Sequence, residues 1–388
     1  MAFHGEPRYA VLHLCGDFAK QQIYTLLVKN LAQQSVAQVV YAPVRTAAEA
    51  AWSAPELVGT PCHLRHILSG RDRLFFRAKV RRVVRDIPGQ VDLATVRLVH
   101  AHFLYSDGAI ALALKKQFGL PFIVAVRNTD INAFMRYRPD LASTRDRVLA
   151  EAEKVVFLSH AYQSLLSRRL DRVLRQRVEA KSLVVPNGIQ EDWLAEAPPV
   201  TERDPQSLRL LYVGDFSLNK NIPALLDAVG LLAKSRDARL TLVGGGGDGS
   251  KQVDRLLRSG RFPFAKNAGR VSDPRELRGI YREHDVFVMV SHFETFGVVY
   301  IEALSQGLPI VHSRGQGVDG YFEPATVAEA AHPQEVADIA ACIDAVAARL
   351  PGIRGRCIEE ARRFDWRHIA TTYSVIYNDA APVVEISN

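Results

Sequence analysis

The sequence lacks the features that mark several classes of protein. Its apolar runs are all shorter than the roughly 18–20 residues that a membrane-spanning helix needs. No Asp-x-Asp motif occurs, so a carboxylate pair holding Mg²⁺ or Mn²⁺ is not indicated. The four cysteines are widely spaced among 388 residues. We therefore expect no metal, no disulfide framework and a cytoplasmic protein with reduced thiols.

Other absences narrow the class further. The early Glu6 and Pro7 and a strand-sized apolar run predict that the N-terminus is not a signal peptide. No segment resembles a helix that reads a nucleic-acid groove, so we expect no nucleic-acid partner. The net charge of +7 is uneven: residues 1–200 carry +9 and residues 201–388 carry −2. The first half therefore favours an anionic partner, such as a membrane surface, a phosphorylated lipid or an acidic polymer.

The chain alternates strand-like runs with amphipathic helical runs, which predicts βαβ units and an α/β fold with parallel sheets. The alternation stops in the Pro-rich, charged segment 195–206, which reads as a linker, and then restarts. We predict two Rossmann-like, doubly wound domains, residues 1–197 and 207–363. Ligands of such sheets bind beyond the carboxyl ends of the strands, so two facing domains would enclose a cleft.

The most informative segment is 291–307, SHFETFGVVYIEALSQG, which follows a strand-like run and opens a helix. Glu294 lies in the turn, where it can accept hydrogen bonds from sugar hydroxyls. Glu302 lies two turns into the predicted helix, where it can accept both hydroxyls of a ribose. The alternative is that both glutamates only offset the helix dipole. The largely apolar helix disfavours that alternative, because a glutamate buried there needs a partner.

Backbone groups of the same turn are candidates for binding phosphate. A helix start presents free N–H groups and the positive end of the helix dipole. The candidates for donor sugar and phosphate binding here are Phe296, Gly297, Val298 and Val299.

Other strand ends carry further candidates. Lys220 follows the first strand of the second half and is a candidate to offset the charge of a diphosphate, although most loop lysines are simply solvated. Gly16 and Gly214 end the first strand of each half and allow close backbone approach, unless they only form tight turns. The run 244–249 satisfies G-x-G-x-x-G but no acidic ribose ligand follows it, so a nucleotide-binding turn or a plain loop fits better than NAD or FAD binding.

Polar residues directly after strands in the first half point to the acceptor or the sugar. Arg127, Asn128 and Asp130 follow an apolar strand; an Asp/Asn-rich helix N-cap is the alternative for the last two. His100 and His102 share a face of a strand, but a metal site needs more ligands at better spacing.

A basic amphipathic segment lies between these strands. Residues 71–85, RDRLFFRAKVRRVVR, carry seven basic residues and one Asp, with apolar positions at helical spacing. We predict one helix that either faces an anionic membrane surface or packs its apolar stripe on the sheet.

The chain resembles the retaining glycosyltransferases of family 4, also called glycosyl transferases group 1, which have the GT-B fold. The resemblance covers nearly the whole sequence and is densest where Tyr281-x-x-x-Asp285, Glu294-x-Phe-Gly297, Glu302-Ala303 and Gly307-x-Pro309 occur. It implies that residues 364–388 form a helix returning to the first domain. It also implies a first domain that binds the acceptor and a second that binds the donor.

The resemblance assigns roles to matching positions. Glu294 would bind the donor sugar, Glu302 the ribose and Lys220 the diphosphate. Backbone near Arg270 and Val271 would contact the base. Catalysis would retain the anomeric configuration and need no metal or other cofactor.

Two positions depart from the family pattern. Asp215 stands where an Arg is common, and Arg127-Asn128 stand where His-Gly is common. Arg127 is therefore a catalytic candidate that supplies the missing positive charge. His102, Asn128 and Asp130 are candidates on the acceptor side.

The expected activity is transfer of a sugar from a nucleotide-diphosphate donor to a saccharide or lipid-linked saccharide in glycan biosynthesis, with a possible peripheral place at the inner membrane face. An epimerase or phosphorylase on the same fold is one alternative. A non-catalytic sugar-nucleotide-binding subunit is another, and a nicotinamide oxidoreductase is a distant third.

Overall fold

The structure is a computed structural model that describes residues 10–53, 57–195 and 207–381. The chain divides into two compact units. Unit 1 comprises the chain up to Leu158, Tyr162–Pro186 and the segment from Trp366 onward, and unit 2 comprises Ser159–Ala161 and Asn187–Asp365. The predicted linker after Ala195 and the N-terminal Glu6 and Pro7 lie outside the described residues.

Unit 1 contains a parallel sheet of seven strands. The central strands are buried on both faces, as in a doubly wound sheet. Their spatial order is β3-β2-β1-β4-β5-β6-β7. The strands are β1 (Ala10–Leu14), β2 (Gln38–Val44), β3 (Cys62–His66), β4 (Val96–Ala101), β5 (Phe122–Val126), β6 (Lys154–Phe157) and β7 (Ser182–Val184).

The helices of the first half connect these strands. Each longer helix buries one face, as α1 does through Tyr24, Leu27, Val28 and Leu31. Gly119 ends α4 in the left-handed conformation that favours glycine. The helices are α1 (Gln22–Gln33), α2 (Ala47–Ala50), α3 (Phe76–Asp86), α4 (Ser106–Phe118), α5 (Met135–Tyr137), α6 (Ala142–Glu151), α7 (His160–Ser167) and α8 (Arg172–Glu179).

Unit 2 contains a second parallel sheet, of six strands in the order β10-β9-β8-β11-β12-β13. The strands are β8 (Ser207–Gly214), β9 (Asp237–Gly244), β10 (Ala265–Gly269), β11 (Val286–Met289), β12 (Ile310–Ser313) and β13 (Ala328–Ala331). The helices are α9 (Ile222–Leu232), α10 (Ser250–Arg258), α11 (Pro274–Arg282), α12 (Val298–Ser305), α13 (Val336–Ala347) and α14 (Leu350–Arg362).

The last helix, α15 (Trp366–Ala380), belongs to unit 1. It packs beside α1 and buries Trp366, Ile369 and Tyr373 in a core with Val11 and Leu98 of the sheet. The predicted return of the C-terminal helix to the first domain is therefore confirmed, and so is the α/β fold with two doubly wound sheets.

Each sheet has one place where the strand order reverses. In unit 1 it lies between β1 and β4, and in unit 2 between β8 and β11. In open parallel sheets, ligands bind beyond the carboxyl ends of the two strands that flank this switch point. The loops after β1, β4, β8 and β11 are therefore the places to search for a site.

The structure corrects the prediction for one helix and adds two strands. The basic segment 71–85 is not one helix: a capping box from Ser69 to Asp72 closes a separate 3₁₀ turn, and Phe75 is non-helical before α3. Strands β3 and β13 are additional strands at the sheet edges. Within the described residues, no helix is both long enough and apolar enough to span a bilayer.

Candidate active site

The switch point of unit 2 brings together two predicted site residues that are far apart in the sequence. Lys220 ends a 3₁₀ turn after β8, and Glu294 lies in the turn between β11 and α12. Lys220 Nζ donates a hydrogen bond to Glu294 Oε2 at 2.8 Å, and both side chains are mostly buried. A cation and a carboxylate therefore face the same ligand position.

The turn around Glu294 is fixed by its own backbone. Its N–H donates to Gln316 Oε1 at 3.1 Å, and its carbonyl accepts the N–H of Gly317 at 2.8 Å. Gly317 has a φ of 55°, and a Cβ there would lie 3.0 Å from the carbonyl oxygen of Phe296. The loop after β12 thus holds the Glu294 turn in place.

The start of α12 has the open N–H groups that the sequence predicts. Gly297 caps the helix with a φ of 82°, and a Cβ there would lie 2.5 Å from the Tyr300 ring. Tyr300 is anchored by a hydrogen bond from its hydroxyl to Met289 O at 2.6 Å. Within the described chain, no hydrogen bond engages the N–H groups of residues 296–299. They remain available to an anionic ligand.

Glu302 lies about one turn into α12, not two, because the helix begins only at Val298. Its side chain is partly buried, and the Tyr281 hydroxyl donates to Oε2 at 3.3 Å. Burial raises the pKa of Glu302 to about 7, although the hydrogen bond from Tyr281 acts in the opposite direction. The carboxyl therefore has unused accepting capacity and changes charge near neutral pH.

Glycines shape the neighbouring strand ends. A Cβ on Gly244 would overlap the carbonyl oxygen of Gly214, so the ends of β8 and β9 approach more closely than other residues allow. Arg270, just after β10, donates from Nη2 to Gly245 O at 2.7 Å. The carboxyl ends of β8, β9 and β10 therefore lie side by side. They carry Gly214, the glycine run 244–249 and the segment with Arg270 and Val271.

Asp215 is close enough to Lys220 for their charges to interact, and it is hydrogen-bonded within its own loop. Its Oδ1 accepts the N–H of Ser217 at 2.8 Å. Partial burial opposes ionisation, but the hydrogen bonds from Ser217 and the charge of Lys220 hold the pKa of Asp215 below its usual value. The loop of Asp215 therefore stabilises the acidic residue that stands where Arg is common in the family.

In unit 1, two of the predicted residues are engaged by the protein itself. The Asp130 carboxylate accepts the N–H groups of Arg127, Leu104 and Tyr105 at 2.9, 3.1 and 3.2 Å. Burial raises its pKa to about 6 despite these bonds. Arg127 is buried, with Nε 3.3 Å from His102 O, while its Nη1 has no partner within the described chain. Asp130 therefore orders the loop after β5, and a catalytic role for Arg127 stays a prediction.

A buried histidine cluster surrounds the other candidate. His102 Nε2 lies 3.0 Å from His13 Nδ1, and His13 Nε2 lies 3.0 Å from Gln38 Oε1. With His100, the ring nitrogens lie within 4.8 Å of one another, a spacing compatible with a metal ion. Burial lowers the pKa of all three, so they are neutral, and nearby Arg127 lowers the pKa of His100 and His102 further. The hydrogen bonds of His13 to His102 and Gln38 satisfy three of the ring nitrogens without a metal ion.

The remaining candidates in unit 1, Asn128 and Gly16, follow the carboxyl ends of strands β5 and β1. Asn128 is exposed, and its Oδ1 accepts hydrogen bonds from Asn132 and Tyr162. Gly16 follows β1 at the switch point. The sequence analysis missed Tyr281 as the partner of Glu302 and His13 as the partner of His102. The Tyr281-x-x-x-Asp285 motif could have identified Tyr281. A single histidine in a strand, such as His13, gives no such signal.

The sequence and the fold are similar to those of known proteins. The sequence model of the family Glycosyl transferases group 1 matches residues 207–349, which include Lys220, Glu294 and Glu302. Glycogen synthase of Mycobacterium tuberculosis is 27% identical over 307 residues, covering 72% of this chain and 68% of that protein. Phosphatidyl-myo-inositol mannosyltransferase of Mycobacterium leprae is 28% identical over 54% of this chain and 58% of its own length.

A solved structure has the same architecture. Anabaena Alr3699/HepE in complex with UDP-glucose superposes with a TM-score of 0.67 at 16% identity, covering 95% of this chain and 98% of that one. At that identity the similarity establishes the GT-B fold only.

Proposed function

We propose that this chain is a retaining glycosyltransferase, because the model of the family Glycosyl transferases group 1 matches residues 207–349. It transfers a sugar from a nucleotide-diphosphate donor to a saccharide or lipid-linked saccharide in glycan biosynthesis. The observation that carries the proposal is the 2.8 Å contact of Lys220 with Glu294 at the switch point of unit 2, beside the open N–H groups of α12.

In this reaction the anomeric carbon loses its bond to a phosphate oxygen and gains a bond to the acceptor oxygen. The acceptor hydroxyl attacks from the face that the leaving phosphate vacates, so the carbon–oxygen bond to the phosphate breaks as the new glycosidic bond forms. A phosphate oxygen takes the proton of the hydroxyl. The configuration is retained because attack and departure share one face.

The residues of unit 2 would stabilise the charge that develops on the leaving diphosphate. In the donor-free site, Lys220 is neutralised by Glu294. We propose that the donor separates this pair, so that Lys220 binds the diphosphate and Glu294 accepts a sugar hydroxyl. The N–H groups of Gly297, Val298 and Val299 add fixed dipoles, and we expect transfer without a metal ion.

A panel of sugar nucleotides tests donor binding. We expect UDP-, GDP-, ADP- or dTDP-glucose, or GDP-mannose, to raise the thermal unfolding temperature, since a ligand at about 100 times its Kd adds roughly 2.7 kcal/mol to the free energy of unfolding. NAD serves as the control because it carries the ribose and diphosphate of a sugar nucleotide but has nicotinamide riboside in place of a hexose. Stabilisation by NAD alone would contradict the proposal. Product analysis with and without acceptor separates transfer from epimerisation.

We propose that unit 1 also docks on anionic membrane. Leu74 is 78% exposed and Phe75 63% exposed at the break before α3, and they are flanked by basic residues of segment 71–85. A cavity of about 490 Å³ opens between α3, α4 and α6. Its floor is apolar, and its basic lining residues are Arg77, Arg81, Lys116 and Arg147. Exposed apolar groups within a basic field suit the headgroup region of an anionic bilayer.

Vesicle binding tests this surface. Replacing Arg77 and Arg81 by glutamine should weaken binding to vesicles of phosphatidylglycerol and phosphatidylcholine about tenfold or more at low salt, since each cation near the surface contributes ~1 kcal/mol. The matched control replaces Arg172 and Arg177 of α8, which removes the same charge elsewhere on unit 1. Equal losses in both variants, or binding to pure phosphatidylcholine, would contradict a specific basic surface.

A further inference from the structure

A basic cavity of unit 2 lies between helix α11 and the 3₁₀ turn Glu191–Trp193. Its volume is about 500 Å³, and three arginines line it, Arg275, Arg278 and Arg282. They are spaced three and four residues apart on α11, so they share one face of that helix. Among the described residues that line the cavity, Asp192 is the only acidic one. The lining therefore has two more positive than negative charges, and it includes none of the donor-site candidates.

Arg278 carries a charge that the described part of the chain does not neutralise. Its guanidinium carbon lies 5.8 Å from the centre of the Trp193 ring. Within the described residues, no carboxylate pairs with it, and its buried Nη1 has no hydrogen-bond partner. A partly buried cation without a counter-charge is unfavourable, so this position favours an anion. The ring holds the guanidinium plane, and an edge of that plane can donate two parallel hydrogen bonds to a phosphate.

The walls of the cavity are fixed by contacts with α11 and α12. Gln306, just after α12, is fully buried, and its Oε1 accepts a hydrogen bond from Arg282 Nε at 2.8 Å. Its Nε2 donates to Trp193 O at 3.1 Å. The Trp193 ring meets the Tyr281 ring edge-on, with centroids 5.5 Å apart. The cavity is therefore preformed, which lowers the entropic cost of binding a ligand there.

We propose that this cavity, which we call the arginine cavity, binds a phosphorylated sugar. The site goes beyond the proposed transfer reaction and does not depend on it. Arg275 and Arg278 bind the phosphate, because a guanidinium matches two phosphate oxygens at once. A phosphate monoester carries roughly −1.5 to −2 charge at neutral pH, which balances the excess charge of the lining. Asp192 accepts hydrogen bonds from the sugar hydroxyls, and the volume of about 500 Å³ is that of a small-molecule site.

Titration calorimetry tests the proposal with three probes, mannose 6-phosphate, glucose 6-phosphate and glucose 1-phosphate. We expect at least one of them to bind the unaltered protein. Arg278→Gln should raise its Kd about tenfold or more, because the variant loses hydrogen bonds between a cation and an anion. The matched control is Arg239→Gln, which removes one positive charge from an exposed position of unit 2 outside the cavity. It should leave the Kd unchanged.

A second variant blocks the cavity without changing its charge. Gly279 lies among the lining residues on α11, and a Cβ there would meet no atom within 4 Å. Gly279→Leu should therefore fold, occupy part of the cavity and raise the Kd of the sugar phosphate. Lys220→Met should leave that Kd unchanged, because Lys220 belongs to the donor site.

Fluorescence locates the bound ligand. Of the three tryptophans, Trp193 alone belongs to unit 2. A ligand that binds Arg278 should change the emission of Trp193, because the guanidinium lies over its ring. Trp193→Phe should abolish this change, while calorimetry still detects binding.

Several results would overturn the arginine cavity as a sugar-phosphate site. They are no binding of any of the three probes, a Kd that neither Arg278→Gln nor Gly279→Leu raises, and an equal rise in Kd with Arg239→Gln. Loss of binding in Lys220→Met would place the ligand in the donor site instead. Inorganic phosphate that binds as tightly as the best sugar phosphate would show an anion site without sugar recognition. None of these measurements involves a donor or an acceptor, so failure of the cavity leaves the proposed function standing.

Discussion

Replacing Lys220 by methionine is expected to lower kcat for sugar transfer by roughly 10²–10³-fold, the loss seen when one preorganised charge-stabilising group is removed. Lys220 is the cation in contact with Glu294 at the strand ends of unit 2. Its ammonium would meet the leaving diphosphate as negative charge develops there. The measurement is initial-rate formation of glycosylated product at saturating donor and acceptor.

The ion pair allows catalysis and stability to be separated. Lys220→Met leaves the Glu294 carboxylate mostly buried without its cation, and Glu294→Gln does the reverse, so each single variant should be destabilised. The double variant removes both charges and should recover part of the lost stability. Its transfer rate should stay at least as low as that of either single variant. A double variant that regains activity would show that the pair acts only through folding.

A second ion pair of unit 2 provides the matched control. Arg349 and Glu329 meet at 2.7 Å and are also partly buried, but neither belongs to a loop at the switch point. Arg349→Met should lower the unfolding temperature and leave kcat within about twofold, because the lost contact does not face the donor. A comparable loss of transfer in this variant would indicate that activity merely follows stability.

The sequence was most predictive where local pattern and tertiary structure agree. Strand β5, Phe122–Val126, ends directly before Arg127, as predicted, because a continuous apolar run suits a strand buried on both faces. The turn with Glu294 was identifiable because it combines a strand end, a glycine with positive φ and a helix start. These signals lie within a few residues of each other.

The sequence was least predictive where neighbours decide the structure. Strand β13, Ala-Glu-Ala-Ala, has helical propensity and is a strand only because it pairs with β12. The break at Leu74–Phe75 depends on the capping box of Ser69 and Asp72, which competes with helix continuation.

Contacts between residues far apart in the chain could not be predicted from the local sequence either. Asp107 looks like an ordinary residue of a helix first turn, but the fold buries its side chain. Likewise, the partner of Lys220 is 74 residues away.

Donor affinity should depend on pH through Glu302. Burial raises the pKa of Glu302 to about 7 in the donor-free protein. Only the charged carboxylate accepts two ribose hydroxyls at full strength, so binding requires loss of this proton. If the protonated form does not bind, the donor Kd should be roughly 30-fold higher at about pH 5.5 than at about pH 8. Titration calorimetry across this range measures the change.

Stability should change in the opposite direction. A pKa raised by folding means that Glu302 favours the folded state when protonated, and this contribution is lost as pH rises through about 7. Without donor, the stability of the unaltered protein should therefore fall as the pH rises from about 5 to 8. Glu302→Gln should abolish this fall. The same variant should bind donor weakly at every pH and lose most of the pH dependence of Kd.

Tyr281 supplies the sharper test of this assignment. Its hydroxyl donates to Glu302 Oε2 and lowers the pKa of that carboxyl. Tyr281→Phe keeps the ring contact with Trp193 but removes the hydrogen bond, so the midpoint of the pH dependence should move to higher pH. At about pH 8.5 the variant should approach the donor affinity of the unaltered protein. A midpoint that stays in place in Tyr281→Phe, or a pH dependence that survives Glu302→Gln, would assign the titration to another group and remove Glu302 from the ribose site.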